Sequence, residues 1–580
     1  MKKFVSLVLI ALMLLSIVSC GNSSDQASSN NDAGTENSSG LTKKSGKVNE
    51  FGYEVPEETI TFTVYAGYGD QAEFDEESAW IKEFFLENFN INFERIYYGT
   101  DMDERLNLML ASNDYPEAIT WMSDEMADKF AHQGKALELT PYIEEYGPNI
   151  TRRLGNYINM YKTEDGKLYK LPIDWGETPN VAGYDAAIRY DYLKEAGLSV
   201  HKTPEEYYEN LKKLMELYPT NENGENVYAL SSNDKGANFY NAMLAVYGFK
   251  LGYKVDESTG EFTHWINTDE GLEIAKYINR FYREGMIDPD YANNQFEDWE
   301  VKVANNRILG HLGTWWHVWV AGHEKWGQLE GDDYNPDKRF INVSMLAPGL
   351  KPEDGTHLAS NFVGYSRFIL TDKCKQPENY IDYLNWEYSE LGTFITAFGP
   401  PSEENVWNID EEGNWIFKES TFDNAKKNEN FHAVIEKFGA KAFWLSTSGG
   451  WMKTNENQNF DKIDKRLTRV STWDYWPINE DGSFMDEGVQ KCWENVIVPA
   501  WDSTLYQVTF DPDANVTQIN QTIKDTLPSE WVKIIEAPSE EECEAAFMAA
   551  REKLNALGLE ELTKHYQESY KKNKEKFEGN

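Results

Sequence analysis

Residues 59–122 predict an α/β fold built on a parallel sheet. Three observations carry the prediction: short β-branched or alternating runs, helical runs between them, and a regular strand–helix–strand order. Residues 59–66 (TITFTVYA) are β-branched and apolar and form the first strand. Residues 77–88 set Trp80, Ile81, Phe84 and Phe85 at helical spacing. Residues 91–98 alternate again, residues 101–111 carry Leu106, Met109 and Leu110 on one face, and residues 117–122 supply a third strand. Right-handed crossovers join the strands of such a β-α-β-α-β run. Ligands of such sheets bind beyond the carboxyl ends of the strands.

Further along, Asp165-Gly166 lies between short β-like segments and reads as a hairpin turn. Thr203-Pro204-Glu205-Glu206 supplies a cap, a proline at the first helical position and a glutamate three residues after the cap, the start of a helix. Residues 540–577 read as two charged amphipathic helices, and no internal repeat or heptad run occurs.

Ahead of the first strand, Lys2 and Lys3 open a short apolar run, residues 4–18, which ends at Ile17-Val18-Ser19-Cys20. The run falls short of the roughly 20 residues that span a bilayer, so it reads as an export signal, residues 1–19. Its ending resembles the lipobox of bacterial lipoproteins. That resemblance implies a diacylglycerol on the Cys20 thiol, cleavage before it and further acylation, and two or three chains hold a protein at a membrane where one does not. Residues from Gly21 to about Lys47 are Gly, Ser, Asn, Asp and Thr with almost no apolar side chain, which predicts a flexible coil; residues 20–57 are taken as lipidated cysteine plus tether.

The remaining residues suffice for two or more domains with full cores, and 41% hydrophobic and 14% aromatic residues fit a packed globular protein. Removing residues 1–19 takes away Lys2 and Lys3, so the net charge falls from −43 to −45. A surface so acidic repels nucleic acid and anionic headgroups and argues against a strongly anionic ligand. Besides Cys20, the cysteines Cys374, Cys492 and Cys543 are widely spaced and form no CxxC pair; one bridge among them is open, and structural thiols are the simpler reading.

Residues 106–121 (LNLMLASNDYPEAITW), 165–172 (DGKLYKLP), 190–198 (YDYLKEAGL), 203–211 (TPEEYYENL) and 362–386 (FVGYSRFILTDKCKQPENYIDYLNW) follow in order over most of residues 58–400. Together they resemble the family 1 extracellular solute-binding proteins of sugar ABC importers. The resemblance implies a two-lobed periplasmic-binding-protein-like fold (type II), with lobes joined by crossing strands near residues 183–189 and 362–367. It places 58–185 and about 365–400 in lobe 1, 186–364 and about 401–540 in lobe 2 with insertions, and leaves 541–580 as C-terminal helices. The length suggests the larger, oligosaccharide-binding subgroup of that family, some of whose members carry a structural calcium loop. The matching residues 218–230 (YPTNENGENVYAL) keep Gly224 but set Asn221, Asn223 and Val227 around it, with only Glu222 and Glu225 charged, so no calcium is expected there. Residues 398–403 (FGPPSE) also depart from the family, lacking the Glu-Gly turn expected before a lobe crossing.

A sugar ring has a C–H face and a rim of hydroxyls, so its site needs flat aromatics beside short polar side chains. Tyr65 and Tyr68 end the first strand with Asp70 beyond; Trp121 ends the third, followed by Asp124; Trp175 follows the Lys-Leu-Pro turn with Glu177 beside it. Trp315 and Trp316 follow an Arg-Ile-Leu-Gly strand, and Trp444 and Trp451 flank a Ser/Gly stretch. Arg367 offers a clamp for a hydroxyl or carboxylate, with a salt bridge to an acidic neighbour the simpler account. A tryptophan in a chain of this size packs a core more often than it carries a ligand, and Trp531 is assigned to the core.

Gly67-Tyr68-Gly69-Asp70-Gln71-Ala72 mimics a dinucleotide fingerprint, but Asp70, Glu73 and Asp75 crowd the place of a pyrophosphate. His311, His317 and His323, six residues apart, match no zinc motif, and HExxH, GxSxG and GxxxxGK[ST] are absent from the sequence. A surface-anchored glycoside hydrolase is the alternative; it would need two carboxylates, for which Asp174 and Glu177 beside Trp175 are candidates. The expectation is a non-enzymatic, lipid-anchored, monomeric binding component of an ABC importer on the outer face of a Gram-positive cytoplasmic membrane. It would bind an oligosaccharide, use no cofactor, touch no nucleic acid and dock on permease subunits.

Overall fold

Alternation along the first strand decides which layer each side chain joins. In β1 (Ile60–Tyr65), Ile60, Phe62 and Val64 enter one core and Tyr65 the core on the opposite face. The computed structural model describes residues 40–66, 71–97, 99, 102–163, 165–173, 184–331, 335, 337–357, 359–360, 364, 366–401, 407–417, 501–510 and 514–579. After β1 come α1 (Gln71–Phe89), β2 (Ile91–Ile96), α2 (Met102–Ser112), β3 (Ala118–Met122), α3 (Asp124–His132) and β4 (Leu171–Ile173). The second sheet follows with β5 (Tyr184–Arg189), the helices α4 (Pro204–Leu217), α5 (Ala237–Val246), α6 (Asp269–Arg283) and α7 (Phe296–Ala304), then β6 (Gly310–Thr314) and β7 (Phe340–Val343). The chain returns as β8 (Ser366–Leu370) and α8 (Pro377–Glu387) and closes with α9 (Asn515–Ile535), α10 (Glu540–Ala556) and α11 (Leu559–Phe577).

The first sheet has the order β2-β1-β3-β8-β4, with β1 parallel to β2 and β3, and β8 antiparallel to β3 and β4. One face packs on α1 and α8 through an aromatic cluster in which Phe89 meets Trp386 edge-on at 4.5 Å. The other face packs Ile119, Met122 and Ile369 on Leu106, Met126 and Phe130 of α2 and α3. The second sheet, β6-β5-β7, is antiparallel and lies in a separate core with Leu211, Phe239 and Trp531. Two lobes result, each with its own sheet.

Start signals read from the sequence are met in the structure. Thr203 Oγ1 accepts from the Glu206 amide at 3.3 Å and Pro204 opens α4. Lys162 and Leu168 bridge across a turn at Gly166, whose φ is +80°. The final helices, placed in neither lobe by sequence, bury Cys543, Phe547, Leu554, Leu559 and Leu562 in the second core.

Three boundaries differ from expectation. The tether does not extend to residue 57: Lys44–Val48 and Glu54–Pro56 form a hairpin whose Phe51 and Tyr53 are buried in the first core. Trp386 Nε1 donates to Phe51 O at 2.7 Å and the Tyr53 hydroxyl to Asp382 at 3.0 Å, so α8 holds the hairpin down. The second lobe does not begin at residue 401, because Trp407 and Trp415 are buried in the first core. Finally, Tyr184–Arg189 and Ser366–Leu370 are strands of the second and first sheets, so the chain passes between the lobes ahead of each. Cys374 packs against the first core and Cys543 lies in the second, both as thiols.

Candidate functional site

Both crossings join the same two sheet edges. The carboxyl end of β4 leads into the start of β5, which pairs with the carboxyl end of β6 through Tyr184 and Thr314. The end of β7 leads back to Ser366, which pairs with Ile173 at the end of β4. The carboxyl ends of β1, β3 and β4 therefore border the passage between lobes, as do those of β6 and β7.

On the first edge Trp121 is the most unusual residue. From Ile119 to Met122 β3 advances three residues while β8 advances two, from Ile369 to Arg367, so β3 carries a bulge. Trp121 takes up the extra residue with φ +61°, a left-handed conformation that costs an aromatic residue of order 1–3 kcal/mol. It is half-buried and packs against the cores on both faces of the sheet, at its rim. Tyr65, in contrast, is fully buried in the core on the opposite face, so its ring presents no open face in this arrangement.

Asp124 and Arg367 are brought together. Ser123 caps α3, its hydroxyl accepting from the Met126 amide at 3.2 Å, and this places Asp124 in the first turn at the end of β3. Asp124 Oδ1 accepts from Lys170 Nζ at 2.9 Å and from Arg367 Nε. Arg367 also donates to Gly364 O at 3.1 Å and Ser366 O at 2.9 Å, and Lys170 to Asp128 at 2.6 Å. Burial raises the Asp124 pKa, but the Arg367 and Lys170 charges outweigh it and hold the carboxyl below its usual range. The sequence reading missed Lys170, although it stands in the DGKLYKLP segment.

On the second edge, residues 228–230 extend the sheet through parallel bridges to Ile308 and Ile287. The chain then turns through Ser231–Gly236 with Lys235 and Gly236 at φ +59° and +79°. Ser232 Oγ accepts from the Gly236 amide at 2.9 Å, and Asp234 accepts from the Asn238 amide at 2.9 Å to start α5. Beneath the turn, Lys302 Nζ donates to Asp288 at 2.7 Å and to Asp290 and Asn294 at 3.0 Å, while Ser231 donates to Asp288 at 2.7 Å. Burial raises the Asp288 pKa and these hydrogen bonds more than offset it, leaving it lowered. The turn was also missed; its SSNDKG composition after an apolar VYAL run is the signal that marks it.

Thr314 ends β6, and Trp315 and Trp316 open a short helix, Trp315–Val318, of which the backbone alone is described for these two tryptophans. Cys20, Tyr68, Asp70, Trp175, Glu177, Trp444 and Trp451 lie outside the described residues. At residues 218–230, Asn221 closes the loop as a neutral amide: Oδ1 accepts from the Asn223 and Glu225 amides, and Nδ2 donates to Glu225 and Asn305 O. Among the described residues no group of three or more His, Cys, Asp or Glu is placed to hold a metal.

A family model described as bacterial extracellular solute-binding protein matches residues 68–390. Lipoprotein LipO of Bacillus subtilis (strain 168) is 23% identical over 353 residues, 59% of this chain and 65% of that protein. The polygalacturonan/rhamnogalacturonan-binding protein YtcQ of the same organism is 28% identical over 194 residues, 33% of this chain and 37% of that protein. The chain thus spans less than two thirds of the length of either relative. Among solved structures, an extracellular solute-binding protein from Bifidobacterium longum subsp. infantis superposes with a TM-score of 0.61 at 15% identity, covering 89% of this chain and 98% of that one. The alginate-binding protein AlgQ2, solved without calcium ion, superposes at 0.58 and 17% identity, covering 91% and 100%. At these identities the likeness is one of fold.

Proposed function

The chain belongs to the bacterial extracellular solute-binding proteins, and from that premise we propose that it is the lipid-anchored, sugar-capturing component of an ABC importer. As a solute-binding protein it captures its ligand and does not transform it. The observation that carries the reading is the pair of sheet edges joined by both crossings, bordered by Trp121 and by the Trp315–Trp316 backbone. In this proposal a neutral di- to oligosaccharide stacks on Trp121, Trp175 and one tryptophan of the 315–316 pair. Asp70, Asp124 and Glu177 orient its hydroxyls. Among the described residues, the bonds to Asp124 fall on Oδ1, and its Oδ2 takes a sugar hydroxyl in this reading. Closure of the lobes on the ligand then selects the form that the permease subunits meet. The lipid on Cys20 holds the protein at the outer face of the membrane.

A second reading, a uronate-containing oligosaccharide, is favoured by the likeness to the polygalacturonan/rhamnogalacturonan-binding relative. Calorimetry and thermal shift of the chain from residue 21 onward, against neutral and uronate oligosaccharides with product analysis, separate the readings. One-to-one binding with intact sugar and a raised melting temperature is expected; cleaved sugar would refute capture without catalysis. Trp175→Ala should weaken binding by about 1–3 kcal/mol, the range for stacking on an aromatic platform. An unchanged affinity in the folded variant removes Trp175 from the site.

A further inference from the structure

The carboxyl-terminal helix belongs to one lobe at its start and touches the other at its end. Leu559 and Leu562 of α11 are buried in the second core. Tyr570 packs on Tyr506 at 5.0 Å and Phe262 at 5.6 Å. Two turns later the helix reaches residues 155–161, a 3-10 segment whose Tyr161 lies in the first core and whose Tyr157, Ile158 and Met160 pack against it. There the Phe577 ring meets Tyr157 edge-on at 5.0 Å, and Lys576 Nζ donates to Met160 O at 2.9 Å. The same Tyr157 donates its hydroxyl to Asp502 at 2.9 Å. Asp502 sits in the pair Trp501–Asp502, parallel to Ala359–Ser360 within the returning crossing, and Trp501 Nε1 donates to Thr356 O at 3.1 Å.

We propose that the end of α11 is a brace across the lobe boundary: rooted in the second lobe, it grips residues 157–160 of the first beside a crossing and sets the resting angle between the lobes. A rotation about the crossings must slide or break the Phe577–Tyr157, Lys576–Met160 and Tyr157–Asp502 contacts together, since all three converge on one short segment. Lys576 also senses the candidate site electrostatically. Burial lowers its pKa, Lys170 and Lys572 lower it further, and Asp124 and Asp128 act as its counter-charges. The inference needs two lobes that move and does not depend on which sugar binds.

The test uses no ligand. The chain from residue 21 onward, which keeps every described residue, is compared with a Lys576→Ala/Phe577→Ala variant and with Tyr157→Phe by small-angle scattering and amide hydrogen exchange. Released lobes should give a larger maximum dimension, and exchange at 155–161 should quicken about tenfold in the double variant. Tyr157→Phe keeps the ring contact and loses one hydroxyl, so a smaller change in the same direction is expected; it carries the test alone if the double variant does not fold. Scattering curves that superpose on wild type, with unchanged exchange at 155–161, overturn the brace.

Discussion

Replacing Gly364 by Ala should destabilise the protein more than replacing Gly166 by Ala, although both glycines are left-handed. Their φ values are +67° and +80°, so each substitution carries the same penalty of about 1–2 kcal/mol for a Cβ in that region. The space around them differs. A Cβ on Gly364 would stand 2.4 Å from Ile173 O and 3.1 Å from Pro172 Cβ, whereas one on Gly166 meets nothing within 4 Å. Ordinary carbon–oxygen contacts begin near about 3.3 Å, so the returning crossing would have to retreat from β4 by roughly 0.9 Å. Overpacking of that kind costs about 1–3 kcal/mol, which puts Gly364→Ala at about 2–5 kcal/mol in all. Arg367 would be disturbed as well, because it donates to Gly364 O. At about 2–4 °C per kcal/mol for a unit of 150–250 residues, melting of Gly364→Ala should fall at least about 2 °C below that of Gly166→Ala. Equal melting temperatures would refute the close approach of 364 to the end of β4.

Asp124→Ala should cost about 1–3 kcal/mol, less than the 3–5 of a fully buried pair because Asp124 is 36% exposed and water screens it. Its folded pKa is lowered, so this contribution is present above the ordinary carboxylate range and is lost as pH falls through the folded value; melting curves of wild type and variant should converge on acidification. Lys302→Met strands the Asp288 carboxylate, 1% exposed, and should cost about 3–5 kcal/mol, read by denaturant unfolding, with Asp288→Asn in the same chain restoring part of it. Burial drives His201 and His264 down to about 3 and His317 and His357 down to about 4. Unfolded histidines take up protons below about pH 6.5 that these cannot, so their stabilisation is full above that pH and is lost by up to about 1.4 kcal/mol each per unit below it. All four lie between residues 201 and 357, so hydrogen exchange at pH 5.5, corrected for intrinsic rates, should rise in the second lobe before the first.

The β1-α1-β2-α2-β3 run was legible because each element carries its own period within about twenty residues. One boundary moved where a terminal turn is mostly polar: α1 begins at Gln71, six residues ahead of the periodic stretch, with Phe74 buried there; and β2 ends at Ile96, two residues short of the alternating run. What escaped depends on partners distant in sequence. Phe51 and Tyr53 look like stray aromatics in a polar leader until Trp386, 335 residues from Phe51, covers them. Asp124 and Arg367 were both singled out as candidates, but that they hold each other across 243 residues is a property of the β3–β8 pairing and not of either segment. The bulge at Trp121 is likewise invisible in an ordinary strand composition, since it arises from one residue of mismatch against β8.

The amino-terminal hairpin also decides which half of the molecule is the stationary frame. Thr42 N donates to Asn379, Lys44 pairs with Asp382, and Phe51 O receives the Trp386 indole, so residues 42–51 are riveted to α8 of the first lobe. A pull transmitted through residues 42–53 loads the first sheet directly and reaches the second through the crossings and through the grip of α11 on residues 157–160. Relative to whatever the leader is fastened to, the first lobe is the post and the second lobe is the gate.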